Sequence, residues 1–486
     1  MVMNRRDFLI QSVVASTGVF ATPKARVVCG SDSSKTPLGR IGVAVLGIGY
    51  RGSYHANDIA SRSDAEVLYL CDPDTAQAGP RQSEVEGKQG RSPQIIQDFR
   101  RVLDDSSVDA VVIATPNHWH ALMSILAMQA GKHVYVEKPV SHNVWEGRQI
   151  VNWARRTNRI CQTGTQCRSS VGLQQAVQWV RDGNLGTIQH VIGTCYNPRK
   201  SIGKVDQPIS LPKTLDYGLW CGPAAVQEIF RTKFHYDWHW DFNTGNGDMG
   251  NQGIHQMDIA RWFLGESKLS SQITSIGGRF GYRDAGNTPN TQIVYHHFDS
   301  APIIFETRGL PRRNLDYSTG MDQYRGSQVG VVVQCEHGHV LVPSYTSATA
   351  FRPDGEIIQH WDEGGDHFGN FISAIRSGNH QDLNADILEG HLSSALCHTG
   401  SICHLIGKES SGRDMEKMSS DDLLWKDSCL RMTQHLKANG VDFSALALRV
   451  GPSLTMDSLN EVFMKNSNAN RLLTRDYRKG YVVDAP

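Results

Sequence analysis

Ile41-Gly42-Val43-Ala44-Val45-Leu46-Gly47-Ile48-Gly49-Tyr50-Arg51-Gly52 is the stretch that decides the fold. Its first six residues form a short apolar run of the kind a strand buried on both faces requires. The remainder is a complete G-x-G-x-x-G, and Ser53 to Ala60 then predicts a helix. In such a turn Gly47 permits the tight bend and Gly49 lets the backbone approach a pyrophosphate. Gly52 lets helix and strand pack closely. The helix N-terminus offers free N–H groups and the positive end of a dipole. Tyr50 and Arg51, between the glycines, are further candidate cofactor contacts. A second strand, Glu66 to Cys71, ends in Asp72, 25 residues after Gly47. A carboxylate there suits a ribose 2′-hydroxyl and repels a 2′-phosphate, so NAD is expected ahead of NADP. The alternative is a Gly-rich turn that holds no ligand.

The alternation continues outward. Val108 to Thr115 predicts a strand ending in Thr115-Pro116-Asn117-His118, followed by a helix from Trp119 to Ala130. His133 to Val136 predicts the next strand, running into Glu137-Lys138-Pro139. A helix from Val144 to Arg156 and a strand from Arg159 to Thr163 follow. Strands alternating with helices build a parallel doubly wound sheet, whose ligands lie at the carboxyl ends of the strands. Thr115, Pro116, Asn117 and Glu137 fall there, with His120 just inside the helix. Beyond residue 163, five stretches read as strands of a large open sheet: Gln189–Tyr196, Ile273–Arg279, Thr291–Phe298, Ile303–Arg308 and Val329–Glu336.

A chain of 486 residues is too long for one core, and two or three domains are expected. Its 49 Lys+Arg balance 49 Asp+Glu, so nothing in the charge favours nucleic acid or an anionic membrane as partner. The ten cysteines are scattered without a C-x-x-C pair. Cys397-His398 and Cys403-His404 fall in a predicted helix, Leu388 to Ile406, that points their side chains in different directions. Packing rather than zinc is the expectation, and no metal is expected elsewhere.

Asn4-Arg5-Arg6-Asp7-Phe8 precedes a mildly apolar stretch from Val13 to Ala21, with Ala21 and Ala25 as cleavage candidates. Paired arginines before such a segment resemble a twin-arginine export signal. The apolar stretch is far shorter than the ~20 residues of a membrane span, and no integral span is expected. The export machinery is then a partner, and the mature chain is periplasmic.

The chain as a whole resembles the Gfo/Idh/MocA oxidoreductases, the glucose–fructose oxidoreductase and inositol dehydrogenase superfamily. The shared marks are G-I-G-Y-R-G, A-T-P-N-H-W-H, V-E-K-P and G-N-Q-G-I-H-Q-M-D, spanning Ile41 to Leu264, with a similar layout to Lys408. The resemblance implies an α/β fold class. An N-terminal Rossmann doubly wound parallel sheet is joined to a C-terminal α+β domain with a large open, mostly antiparallel sheet. Residues 1–36 are then signal and linker, 37–163 the NAD-binding domain, 164–410 the substrate and oligomerisation domain, and 411–486 an extension with no motif. It also implies that Lys138 lies beside nicotinamide and the reacting hydroxyl, and that Glu137 contacts the adjacent ribose. His255 is then the main acid/base.

The family's usual Asp is Asn251 here, which can orient a hydroxyl but cannot take its proton. Asp248 is a nearby substitute, and Asp258 either orients His255 or pairs with Arg261. Trp238 and Trp240, in an aromatic run, and Tyr196 are candidate sugar contacts. Packing under a loop is the equal alternative for the aromatic run. A homo-oligomer through the open sheet is expected.

Three functions fit these residues. The first is an NAD-dependent oxidoreductase acting on a sugar, a sugar derivative or a cyclic polyol, with NAD held tightly because a periplasm has no free pool of it. The second is a redox glycoside hydrolase that oxidises, eliminates, hydrates and reduces. The third is a non-catalytic sugar-binding protein that retains NAD.

Overall fold

The computed structural model describes residues 39–410, 422–442 and 448–486. The proposed signal, residues 1–36, and the first part of the extension lie outside them. Six parallel strands form the first sheet: β1 (Ile41–Leu46), β2 (Ala65–Cys71), β3 (Gln94–Ile96), β4 (Ala110–Ile113), β5 (His133–Val136) and β6 (Cys161–Thr163). Their order is β3-β2-β1-β4-β5-β6, so the chain reverses direction between β1 and β4. That reversal opens the crevice in which such sheets bind ligands.

Alternate residues of β1 enter opposite layers. Ala44 and Leu46 join the core under α3 (Asn117–Gln129) and α4 (Val144–Thr157). Val43 and Val45 join the core under α1 (Tyr50–Ala60) and α2 (Ala78–Gln89). α1 starts at Tyr50 rather than Ser53, because Gly49 is its N-cap and the second half of the glycine motif already lies inside the helix. The second layer has a distant contributor. Helix α8 (His367–Ser377) lays Phe368 on Tyr135 with ring centroids 4.6 Å apart. Residues assigned by sequence to the substrate domain therefore complete the nucleotide domain.

The second sheet has 12 strands. β7 (Ile188–Tyr196) pairs in parallel with β10 (Ile303–Arg308), and the other pairings are antiparallel. All five strands expected from sequence are present. β12 (Gly338–Val342), β13 (Ser347–Phe351) and β14 (Ile357–Asp362) extend one edge. One face packs on α7 (Gly253–Leu264) and α9 (Ile387–Leu405).

The C-terminal extension has a definite course. Helix α10 (Leu423–Ala438) places Trp425, Met432 and Leu436 on Ile192, Ile276 and Ile304 of the opposite sheet face. Leu448–Val450 and Leu454–Asp457 pair with β8 (Gln272–Gly278). The end of the chain then returns to the first domain. Tyr481 packs edge-on against Trp119, and the Asp484 carbonyl accepts from Trp153 Nε1 at 3.0 Å. The extension therefore packs on both domains of its own chain and covers part of the sheet face expected to serve assembly. Among the described residues no helix is long and apolar enough to cross a membrane, and no group of His, Cys, Asp or Glu is placed to hold a metal.

Candidate functional site

A cavity of about 320 Å³ runs between the carboxyl ends of the first sheet and the segment that precedes α7. Gly47, Gly49, Asp72, Thr115 and Pro116 line one wall. Trp220, Tyr236, Trp238, His239 and Asn251 line the other. The turn fits a dinucleotide for reasons visible in its backbone. Gly47 has φ +80°, and a Cβ on it would lie 2.8 Å from Thr115 N. A Cβ on Gly52 would lie 1.8 Å from the Gly47 carbonyl oxygen, so helix and turn touch backbone to backbone. A Cβ on Gly49 meets nothing within 4 Å; its side of the turn is open, as a phosphate requires. Thr115 Oγ1, in the same wall, is buried with no hydrogen-bond partner.

Asp72 holds the turn as well as facing the cavity. Its carboxylate accepts from Ile48 N at 3.0 Å and from Asp74 N at 2.9 Å. Burial raises its pKa, while those two N–H groups oppose the rise. Two backbone donors leave further lone pairs on the carboxylate for a ribose hydroxyl.

Lys138, Asn251 and His255 meet where the first sheet reaches the second domain. Lys138 Nζ donates to the Asn251 backbone carbonyl at 2.7 Å. The contact uses main chain, so the Asn-for-Asp change leaves it intact and alters only the side chain presented to the cavity. Burial pulls the Lys138 ammonium below its ordinary range, with Glu137 opposing. His255 is buried, and its Nδ1 has no partner. Burial first, and then Lys138, hold its pKa well below 6.5, so it is neutral at physiological pH. The bond between Lys138 and Pro139 is cis.

Glu137 has further partners besides the ribose contact that the resemblance implied. It is buried, and its Oε1 accepts from Arg51 Nε at 2.8 Å and lies 2.7 Å from His55 Nε2. Its Oε2 accepts from Lys138 N at 3.1 Å. Burial alone would raise its pKa, yet Arg51 and His55 hold it well below the carboxylate range. Glu137 therefore ties the glycine helix to the Lys138 turn.

Several expectations need correction. His120 sets its ring nitrogens against the Thr115 and Pro139 carbonyls, at 2.8 and 2.6 Å, and so braces two turns without lining the cavity. Asn117 donates to Asn246 Oδ1 at 2.9 Å. Tyr196 is not brought to the cavity: its hydroxyl donates to buried Glu306 at 2.6 Å and Arg308 lies over its ring. Trp240 is buried between the guanidiniums of Arg199 and Arg279. Asp248 is held by Arg199 through two bonds of 2.8 and 2.7 Å and is not free to replace the missing Asp. Asp258 pairs with Arg168 at 2.9 Å and, as the second of its two expected roles had it, with Arg261 at 3.9 Å.

Sequence reading missed two groups. The Tyr345 ring lies 4.7 Å from the His255 ring, and its hydroxyl accepts from Gln252 Nε2 at 2.9 Å. Tyr345 sits in a turn between β12 and β13, neither of which had been read as a strand. His239 lines the cavity with its Nε2 buried and unpartnered. Burial pushes its pKa to about 3.

Residues 41–165 match the description "Oxidoreductase family, NAD-binding Rossmann fold", and residues 187–422 match "Oxidoreductase family, C-terminal alpha/beta domain". A "Glycosyl hydrolase family 109 protein" of Shewanella pealeana is 29% identical over 215 residues, which is 39% of this chain and 45% of that protein. A "Glycosyl hydrolase family 109 protein 1" of Shewanella sp. (strain MR-4) is 30% identical over 175 residues, 35% of this chain and 38% of that one. The matches thus span less than half of these relatives. Among solved structures, the WlbA dehydrogenase of Bordetella pertussis with NADH and UDP-GlcNAcA has a TM-score of 0.54 at 19% identity. That likeness covers 74% of this chain and 96% of the other. A levoglucosan dehydrogenase with NADH and levoglucosan gives 0.54 at 18%, covering 74% and 97%. At these identities the likeness is one of fold.

Proposed function

Because the chain belongs to the Gfo/Idh/MocA oxidoreductase family, we propose that it is an NAD-dependent oxidoreductase acting on a carbinol carbon of a sugar, a sugar derivative or a cyclic polyol. The observation that carries this reading is the Lys138–Asn251 contact beside buried, neutral His255, with Asn251 lining the same cavity as the glycine turn. A bound nicotinamide supplies the hydride acceptor. Lys138, with its lowered pKa, and His255 share the hydroxyl proton, while Asn251 and Trp238 orient the sugar. Gly47, Gly49 and Thr115 hold the phosphates and Asp72 the adenosine ribose, which favours NAD over NADP.

A redox glycoside hydrolase is the second reading, favoured by the names of the relatives in Shewanella. In it the same groups oxidise a glycoside transiently, the aglycone is eliminated and water adds. The hydride then returns, so net chemistry is hydrolysis with no net NADH. One experiment separates the two: purified protein is offered a panel of free sugars and p-nitrophenyl glycosides. NADH formation with a free sugar supports the first reading and p-nitrophenol release without NADH the second. Neither signal, with NAD bound, leaves a sugar-binding protein and defeats both.

Export by the twin-arginine route, tight retention of NAD and a homo-oligomer belong to the same proposal. Supporting them are Arg5-Arg6 before the apolar segment, the enclosure of the cavity between two domains, and the breadth of the second sheet. Replacing Arg5-Arg6 by Lys-Lys should abolish export of the full chain. Cofactor should survive gel filtration, and light scattering should give a mass above one chain.

A further inference from the structure

A second cavity, of about 980 Å³, lies among α9, the loops around His142 and Asn243, and the C-terminal segment 468–476. It shares no lining residue with the cofactor cavity. Its size falls within the ~300–1,000 Å³ typical of small-molecule sites.

The wall holds hydrogen-bond donors that lack acceptors. Asn143 and His398 are 5% and 3% exposed; Asn143 is within reach of Glu146 and Tyr477, while His398 Nδ1 has no partner. Arg475 Nη2 donates to the Asn243 carbonyl and side chain, both at 3.0 Å, while its buried Nε has no acceptor. Arg475 Nη1 lies 3.4 Å from His142 Nδ1. The His142 ring also bonds the Gly245 backbone. Buried donors such as Arg475 Nε are rarely left unmet.

The charge balance points the same way. Arg471 and Arg475 line the cavity against a single lining carboxylate, Asp476. Glu146, behind the wall, already accepts from His142 N at 2.9 Å and Tyr477 Oη at 3.1 Å. Burial holds His142 and His398 well below neutrality, so both are uncharged, each with one N–H and one lone pair. Phe242, Ile402 and Leu405 add an apolar floor. Unmet donors, two guanidiniums and an apolar floor suit a hydroxylated anion.

We propose that this cavity is a second ligand site, for an anionic carbohydrate whose carboxylate or phosphate group is held by Arg471 and Arg475. The site does not depend on the redox reading, since an inactive protein would still bind. The test is calorimetric titration of the cofactor-loaded full chain with glucuronate, glucose 6-phosphate and glucose. At least one of the two anions should bind, and its identity distinguishes carboxylate from phosphate. Glucose should bind at least about tenfold more weakly, because it lacks the charge-assisted bonds. Arg471→Glu and Asn468→Trp alter exposed positions on the wall and should preserve the fold by circular dichroism. Each should weaken anion binding about tenfold or more. Absence of binding by both anions overturns the proposal. So does equal affinity for glucose, or anion binding unchanged in both variants, which would assign the heat to the cofactor cleft.

Discussion

The glycine turn, which lines the cavity, and the Lys138 corner, which meets it through Asn251, are built by opposite means. The turn spans Gly47 to Gly52, and its fit depends on backbone contacts within and beside one β–α unit. The corner draws on three distant stretches of the chain: Lys138, Asn251 with His255, and Tyr345. A locally encoded site tolerates changes elsewhere but fails when its own backbone is crowded. An assembled site keeps its fold when one side chain is trimmed and loses its chemistry instead. Substitutions at the two sites should therefore read out differently.

The largest effect is expected at the corner, in rate. Lys138→Ala or His255→Ala should lower kcat/KM about a thousandfold with whichever substrate the panel identifies. Thermal stability should change little, since neither side chain fills a hydrophobic core. A variant that loses activity only in proportion to its loss of folded protein would erase the distinction between the two sites.

Glu137→Gln acts on the link between them and should come next, counting stability and cofactor binding together. It removes the charge that pairs with Arg51 and the acceptor that faces His55 Nε2. Breaking a fully buried pair from one side costs about 3 kcal/mol; Arg51 is 37% exposed, so screening reduces the expected loss to about 1–2 kcal/mol. Loss of stability together with weaker cofactor binding would mark Glu137 as the tie. A pure loss of cofactor affinity with unchanged stability would leave it the ribose contact alone.

At the turn itself, two glycines predict opposite outcomes. Gly52→Ala forces a Cβ to 1.8 Å from a backbone oxygen and should cost about 2–3 kcal/mol. Gly49→Ala meets nothing within 4 Å, and its φ of −62° is open to any residue. Its stability should hold within about 0.5 kcal/mol, while NAD affinity falls because the methyl stands on the open side of the turn. Denaturant unfolding without cofactor, followed by fluorescence titration with NADH, measures both. Equal destabilisation by the two substitutions would break the account.

What was legible in the sequence follows the same division. The turn, Asp72 and five of the six strands of the first sheet were readable because apolar runs and glycines report local backbone, while the three-residue β3 was not. His255 and Lys138 were readable only through the family resemblance, which preserves pairings that spacing alone does not encode. Tyr345 and the Arg199–Asp248 pair were not readable, because they depend on sheet register across long separations. Tyr196 and Trp240 were misjudged for one reason: an aromatic side chain at a strand or loop end suits a sugar and a buried cation equally. Here Arg308, Arg199 and Arg279 occupy those rings. The course of the C-terminal extension was invisible for want of any motif.

That extension supplies the smallest predicted effect, one that bears on turn and corner at once. Its Glu461 accepts from Arg148 of α4 and lies 2.9 Å from His391 of α9, so one carboxylate clamps a helix of each domain. Burial would raise the Glu461 pKa, but these partners hold it at about 2. Burial also lowers the His391 pKa, so at neutral pH the cationic partner is Arg148. A carboxyl whose folded pKa is depressed contributes stability above its unfolded value, near 4.5, and loses it as pH falls toward 2. The shift sets an upper bound of about 3 kcal/mol. Arg148 is 32% exposed, so screening reduces the expected contribution to about 1–2 kcal/mol. Glu461→Gln should therefore unfold earlier than the parent at pH 7, with the gap closing between pH 4.5 and 2. A gap that persists at pH 2 would mean the amide disrupts packing rather than charge, and the clamp would be steric. A gap that closes on acidification, with NADH affinity falling in parallel at pH 7, would show that the extension holds the turn and the corner in one alignment.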